Sequence, residues 1–147
     1  MSDKSFNYIL IAFLVISGIG ILDALYLTSN YFSGGIPPCT TGGCETVLTS
    51  IYATVFGFPV SLFGLLYYLS LFTLITIYRE RTKYMLLTFA FITTSGGLLF
   101  TLYLLYLQFF VIEALCQYCL LSAAITTTLF ILNSVLIWAK KPAAHLL

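Results

Sequence analysis

Charge is scarce in this sequence: of 147 residues, six are Lys or Arg and five are Asp or Glu, 7% in all. A soluble domain carries about 25%, so too little polar surface is present to face water on every side. With a net charge of +1 and no basic patch, nucleic acid is not an expected partner. Histidine is also nearly absent. The single His145 stands close to the C-terminus, which excludes a haem held between two histidines and any buried zinc site that needs imidazole. No glycine-rich phosphate loop, internal repeat or low-complexity tail is present. What fills the chain instead is apolar, 61% of residues at a mean hydropathy of +1.05. That is the composition of a polytopic membrane protein.

Four segments, about 6–31, 59–78, 84–110 and 116–138, are long and apolar enough to cross a bilayer, each near or above the ~20 residues that span ~30 Å of hydrocarbon. They predict a single-domain, all-α, four-helix membrane bundle, with scattered Gly, Ser and Thr letting helices approach closely. The first segment exceeds a secretory h-region and is followed by no small-x-small cleavage site, so it reads as an uncleaved span. Lys4, then Arg79, Arg81 and Lys83, then Lys140 and Lys141 hold all the positive charge. The other two connections, 32–58 and 111–115, hold none. The positive-inside rule therefore predicts cytoplasmic termini in a cell membrane. Asp23, in the outer half of the first span, is a functional candidate because burying its charge in lipid is costly. Glu113 suits the N-terminal dipole of the fourth span.

All four cysteines fall on the side with no basic residues. Cys116 and Cys119 form a C-x-x-C opening the fourth span, within disulfide reach on one helix face and beside a helix N-terminus that favours thiolate. Cys39 and Cys44 lie in a Pro/Gly-rich stretch that predicts a mobile, water-side loop, followed by a short surface helix over 45–50. A mobile exposed disulfide can exchange with an outside thiol and hand reducing equivalents inward. Two bland alternatives stand beside this relay. The cysteines can form two inert disulfides, although a C-x-x-C closes too short a loop to restrain a chain much. They can also bind a metal as a Cys₄ set.

The ordered set C-x₄-C, Ser50, Phe56-Gly57-Phe58-Pro59, Ser61 with Phe63-Gly64, and Cys116-Gln117-Tyr118-Cys119, together with the segment Ala24-Leu25-Tyr26-Leu27-Thr28, resembles the vitamin K epoxide reductase family over nearly the whole chain. The unrelated DsbB family places its C-x-x-C first, whereas here it comes last. The resemblance implies a four-helix bundle around a quinone of the ubiquinone, menaquinone or vitamin K type. It also implies a thioredoxin-like partner acting in trans from outside the membrane. Carried over, Cys39 meets the partner thiol, Cys44 passes electrons to Cys116, and Cys119 faces the quinone, with Ser50 hydrogen-bonding nearby. Phe56, Phe58 and Phe63 are implied ring-packing groups. Val60 stands where many members have Asn, and Ala123 where the vertebrate enzyme has Tyr. Both are quinone-binding positions in the family, and Tyr118 is a candidate replacement.

The expectation is thus a monomeric, multi-pass thiol–quinone oxidoreductase supporting disulfide formation, with no metal. Its alternatives are a vitamin K quinone or epoxide reductase and a non-catalytic disulfide- or metal-bearing membrane protein.

Overall fold

The structure is a computed structural model that describes residues 1–144, so His145 lies outside the described residues. Helix α1 covers Asp3–Ser33, the short α2 Cys44–Leu48, α3 Val60–Arg81, α4 Tyr84–Tyr106 and α5 Gln117–Ala144. The four long helices are each long and apolar enough to cross a membrane. They pack in a ring in the order α1, α3, α4, α5 and back to α1. The spans thus run a few residues past the expected ends. The third finishes in a π-helical turn, Leu107–Val111.

Each helix buries a stripe at alternating spacings of three and four residues. It runs through Leu10, Phe13, Ser17, Gly20, Ala24 and Leu27 on α1 and Tyr68, Leu71, Ile75 and Tyr78 on α3. Leu87, Ala90 and Thr94 form it on α4, and Thr126, Leu129, Asn133 and Leu136 on α5. That spacing keeps one face turned toward its neighbours. No more than 33% of the most apolar window of any span is buried, so most apolar side chains point outward, as lipid-facing residues must. Outward hydroxyls such as Thr73, Thr76, Thr93 and Thr128 donate to the carbonyl four residues earlier, which satisfies them within their own helix.

Small residues serve packing at specific places. A Cβ on Gly20 would come within 2.7 Å of the Tyr68 ring, and one on Gly97 within 2.5 Å of the Tyr67 ring, whereas Gly18 and Gly96 face open space. Tyr68 is held on its other side by α5, its hydroxyl 2.6 Å from Ser122 Oγ and 3.1 Å from Thr126 Oγ1. Gly20→Ala is therefore expected to destabilise the bundle by about 1–3 kcal/mol through overpacking, whereas Gly18→Ala is expected to be near neutral. Thermal unfolding of both variants in detergent checks this, and equal melting temperatures would contradict it.

The two ends of the bundle differ in chemistry. At one end Lys140 Nζ lies 4.7 Å from the Phe6 ring centroid, and Phe6 packs against Tyr78 at 6.3 Å. The two-residue α3–α4 turn is at the same end, where Thr82 takes a left-handed conformation and its N–H bonds Tyr78 O at 2.8 Å. The basic residues on these elements gather there. The cysteines gather at the other end, where Gly34 (φ 71°) caps α1. A two-stranded hairpin, β1 Thr54–Val55 with β2 Phe58–Pro59, leads into α3. Its turn residues Phe56 and Gly57 both have positive φ, 52° and 83°, as a primed hairpin turn requires.

Candidate redox site

Cys39 and Cys44 are joined in a disulfide with Cα atoms 5.9 Å apart, while Cys116 and Cys119 are free thiols. Cys44 opens α2 and is fully buried, as is Cys116, and the two sit with Val47 in one buried cluster. Cys39, Cys119 and Tyr118 pack around that cluster. The chain thus brings all four sulfurs to one place, under the short helix α2.

The Cys39 loop is docked against the α5 entrance in this state. Tyr118 donates to Pro38 O at 2.8 Å, Thr41 Oγ1 donates to Leu115 O at 2.8 Å, and the Thr40 amide donates to Gln117 Oε1 at 3.2 Å. A Cβ on Gly43 would lie 2.5 Å from Leu115 O and 2.7 Å from Leu115 N, so the residue before Cys44 rests against backbone. Three neighbouring residues of the α5 entrance therefore hold the loop.

Cys116 differs from its expected place. It precedes α5, which begins at Gln117, and its carbonyl accepts the amide of Leu120 at 3.0 Å, the first bond of the helix. It is thus the residue that caps α5, with Cys119 three positions on. The Cys116 thiol, ahead of the spanning segment, is drawn below the ordinary thiol range. The main cause is hydrogen bonding with the Cys119 thiol; burial opposes it, and the amides of Cys119 and Tyr118 reinforce it. An N-cap sulfur facing unpaired helix amides is stabilised as thiolate for the same reason that Ser or Asp caps a helix.

Gln108 holds this cap from the other side. It is buried, and its Oε1 accepts the Cys116 amide at 3.0 Å while its backbone carbonyl accepts the Ala114 amide at 3.2 Å. The π-helical turn, closed by Ile112 N–H to Leu107 O at 2.7 Å, carries Gln108 inward. Sequence reasoning passed over this residue, although it is the one side-chain amide in the third span. Gln108→Leu leaves the buried Cys116 amide unpaired and is expected to cost about 1–3 kcal/mol. Thermal unfolding reads the loss, and Gln108→Glu, which keeps an acceptor, is expected to recover part of it.

Behind the cysteines lies a mostly apolar cavity of about 200 Å³ between α1, α3, α4 and α5. Cys119 opens onto it, and Cys116 does not. Ser50, Val60, Phe63 and Ala123 line it. Ser50 Oγ donates to Val47 O at 2.8 Å, fixing the end of α2. Two expected ring-packing groups, Phe56 and Phe58, and the candidate quinone hydrogen-bonding residue Tyr118 lie elsewhere. Phe56 is 95% exposed at the tip of the hairpin and Phe58 points outward beside it; the turn geometry directs both away from the bundle. Tyr118 packs against Tyr26, ring centroids 5.6 Å apart, and clamps the Cys39 loop through Pro38. Glu113 is exposed in the turn before α5, with a φ of 55°.

An apolar cavity of ~150 Å³ takes up benzene, so this one admits a single substituted ring. Asp23 and Tyr67 are among its lining residues, and each has a deeply buried polar atom, Asp23 Oδ2 and the Tyr67 hydroxyl, with no hydrogen-bond partner. Buried polar atoms are normally paired, so the wall suits an apolar ring that bears oxygen atoms, as a quinone does. Among the described residues no three His, Cys, Asp or Glu side chains are grouped to hold a metal ion.

Four membrane-spanning helices, a disulfide packed against a dithiol and an apolar cavity behind them define a membrane-embedded thiol redox protein. The chain belongs to the vitamin K epoxide reductase family, which its residues 11–134 match. That family works in membrane thiol–disulfide exchange linked to quinone, which makes this chain a membrane redox enzyme. No curated protein matches the chain.

Proposed function

We propose that the protein oxidises a thioredoxin-like partner outside the membrane and passes the electrons to a membrane quinone, so sustaining disulfide formation. The observation that carries this reading is the order of the sulfurs. Cys39 is on the docked outer loop, Cys44 is buried beside Cys116, and Cys119 opens onto the cavity. A partner thiolate attacks Cys39, forming a mixed disulfide and freeing Cys44 as a thiolate. The second partner thiol then resolves the mixed disulfide, and the partner leaves oxidised with Cys39 and Cys44 both reduced. Cys44 next attacks Cys116 of an oxidised C-x-x-C, releasing Cys119, and Cys39 closes the loop disulfide again. The arrangement described above, loop pair oxidised and C-x-x-C reduced, is the product of that exchange.

A quinone of the ubiquinone, menaquinone or vitamin K type supplies the acceptor for two electrons and two protons. Val60, Phe63 and Ala123 would hold its ring by apolar contact, and Ser50 lies on the same wall. The absence of a polar side chain at Val60 and Ala123 favours this reading over vitamin K epoxide reduction. The gathering of basic groups at the opposite end of the bundle supports cytoplasmic termini and an extracytoplasmic site in the cell membrane.

The test replaces Cys44 by Ala and converts the remaining Cys39 thiol to its mixed disulfide with thionitrobenzoate, so that a reduced thioredoxin-like protein keeping only its attacking cysteine displaces thionitrobenzoate and stays joined to Cys39. A covalently attached thioredoxin-like protein is the expected product. Capture of none, together with no quinone reduction by a reduced thioredoxin-like protein, would refute the proposal.

A further inference from the structure

Asp23 and Tyr67 have no role in the relay of sulfurs, yet both are lining residues of the cavity and each has a buried polar atom with no hydrogen-bond partner. Asp23 is 8% exposed within α1, and no water in hydrocarbon relieves such a group. Tyr68, next in sequence, shows the contrast: its hydroxyl is fully engaged by Ser122 and Thr126. The third unpaired atom, Asn133 Oδ1, belongs to the contact with α4, where its amide reaches Leu87 O, and does not line the cavity. Tyr67 is fixed in place by Gly97, whose missing side chain leaves room for its ring. Among the described residues no Lys, Arg or His lines the cavity, so no counter-ion accounts for Asp23 there. Asp23 and Cys119 line the same cavity.

We propose that Asp23 is the acid that protonates a quinone oxygen in this cavity, with the Tyr67 hydroxyl orienting the ring by a hydrogen bond. The inference rests on the quinone reading above. As the Cys116–Cys119 S–S bond forms, the two thiols release two electrons and two protons. The electrons pass to the quinone. One of its oxygens takes its proton from the Asp23 carboxyl, which is refilled by one thiol proton, and the other thiol proton goes to the second oxygen. Dithiol plus quinone thus gives disulfide plus quinol, and Asp23 ends as it began.

The test uses the full chain in lipid nanodiscs with a ubiquinone bearing one isoprenyl unit. Two quantities are read: equilibrium binding to the fully oxidised protein, and the single-turnover rate of Cys116–Cys119 disulfide formation, from alkylation of free thiols. Asp23→Asn keeps a hydrogen-bonding group but no transferable proton. It is expected to bind within about threefold of native and to form the disulfide at least ~100-fold more slowly, with Asp23→Glu recovering part of the rate. Tyr67→Phe keeps the ring and is expected to bind about fivefold more weakly. A rate for Asp23→Asn within about threefold of native, or a loss of binding as large as its loss of rate, would overturn the proposal. Infrared difference spectra of the native protein keep the test open if a variant does not fold: quinone binding is expected to shift a carboxyl band, and no shift overturns the assignment. A native protein that forms no Cys116–Cys119 disulfide with quinone defeats the underlying reading. Native turnover matched by Asp23→Asn defeats this inference alone.

Discussion

Cys119→Ala is expected to lower quinone reduction by more than ~1,000-fold, the scale on which loss of a reacting nucleophile acts. Cys119 is the one cysteine that lines the cavity, and Cys116, its partner in the C-x-x-C, is fully buried away from it. Without Cys119 the inner pair has no disulfide of its own and no thiol open to the cavity, so electrons have no exit to the quinone. The outer loop retains its own pair, Cys39–Cys44, and is expected to exchange once with a reduced thioredoxin-like protein before stopping. Partner oxidation limited to a single turnover, with no quinol formed, is the expected pattern in a stopped assay of the purified variant. Quinone reduction at the native rate would remove Cys119 from the path.

Gly43→Ala is expected to uncouple the two pairs without touching any sulfur. The added methyl would meet three backbone atoms of Leu115, the nearest at 2.5 Å and the farthest of them at 3.1 Å. Backbone cannot yield as the end of a side chain can, so the loop must lift from the α5 entrance. That movement breaks the register of Thr41 against Leu115 and draws Cys44 from Cys116. A displacement of about 1 Å in a reacting pair can cost ~100-fold in rate, and a loss of this size is expected when a partner dithiol drives the reaction. A small dithiol that reduces Cys116–Cys119 directly is expected to support nearly native quinone reduction in the same variant. An undiminished rate with the partner would show that docking of the loop is not required. Equal loss with both reductants would place the damage in the bundle rather than in the transfer.

Much of the bundle was legible because the bilayer imposes a simple length rule. Four apolar runs near or above twenty residues had to be four spanning helices, and the C-x₄-C and C-x-x-C had to share one end because the connections alternate ends. The inner face of each helix was not legible. In a soluble bundle the buried stripe is the apolar one, but here lipid makes the outer face apolar as well, so periodicity carries no contrast. The buried stripes even include Ser17, Gly20, Thr94 and Asn133. For the same reason thirteen Phe could not be sorted by sequence into cavity and lipid: Phe63 lines the cavity, while Phe56 and Phe58 turn outward at the hairpin.

By itself, then, the sequence determined the four spans, the separation of basic residues from cysteines, and the pairing of two sulfur motifs of unequal character. These follow from hydrophobic length, charge placement and short-range spacing, all of which are local. Only the tertiary structure decided that the Pro/Gly loop is clamped by Tyr118, that Gln108 holds the Cys116 cap, and that Asp23, Tyr67 and Cys119 line one cavity. Each joins residues on different elements, as do the close approaches at Gly20, Gly97 and Gly43. Such approaches depend on the shapes of both surfaces at once, which no single stretch of chain encodes.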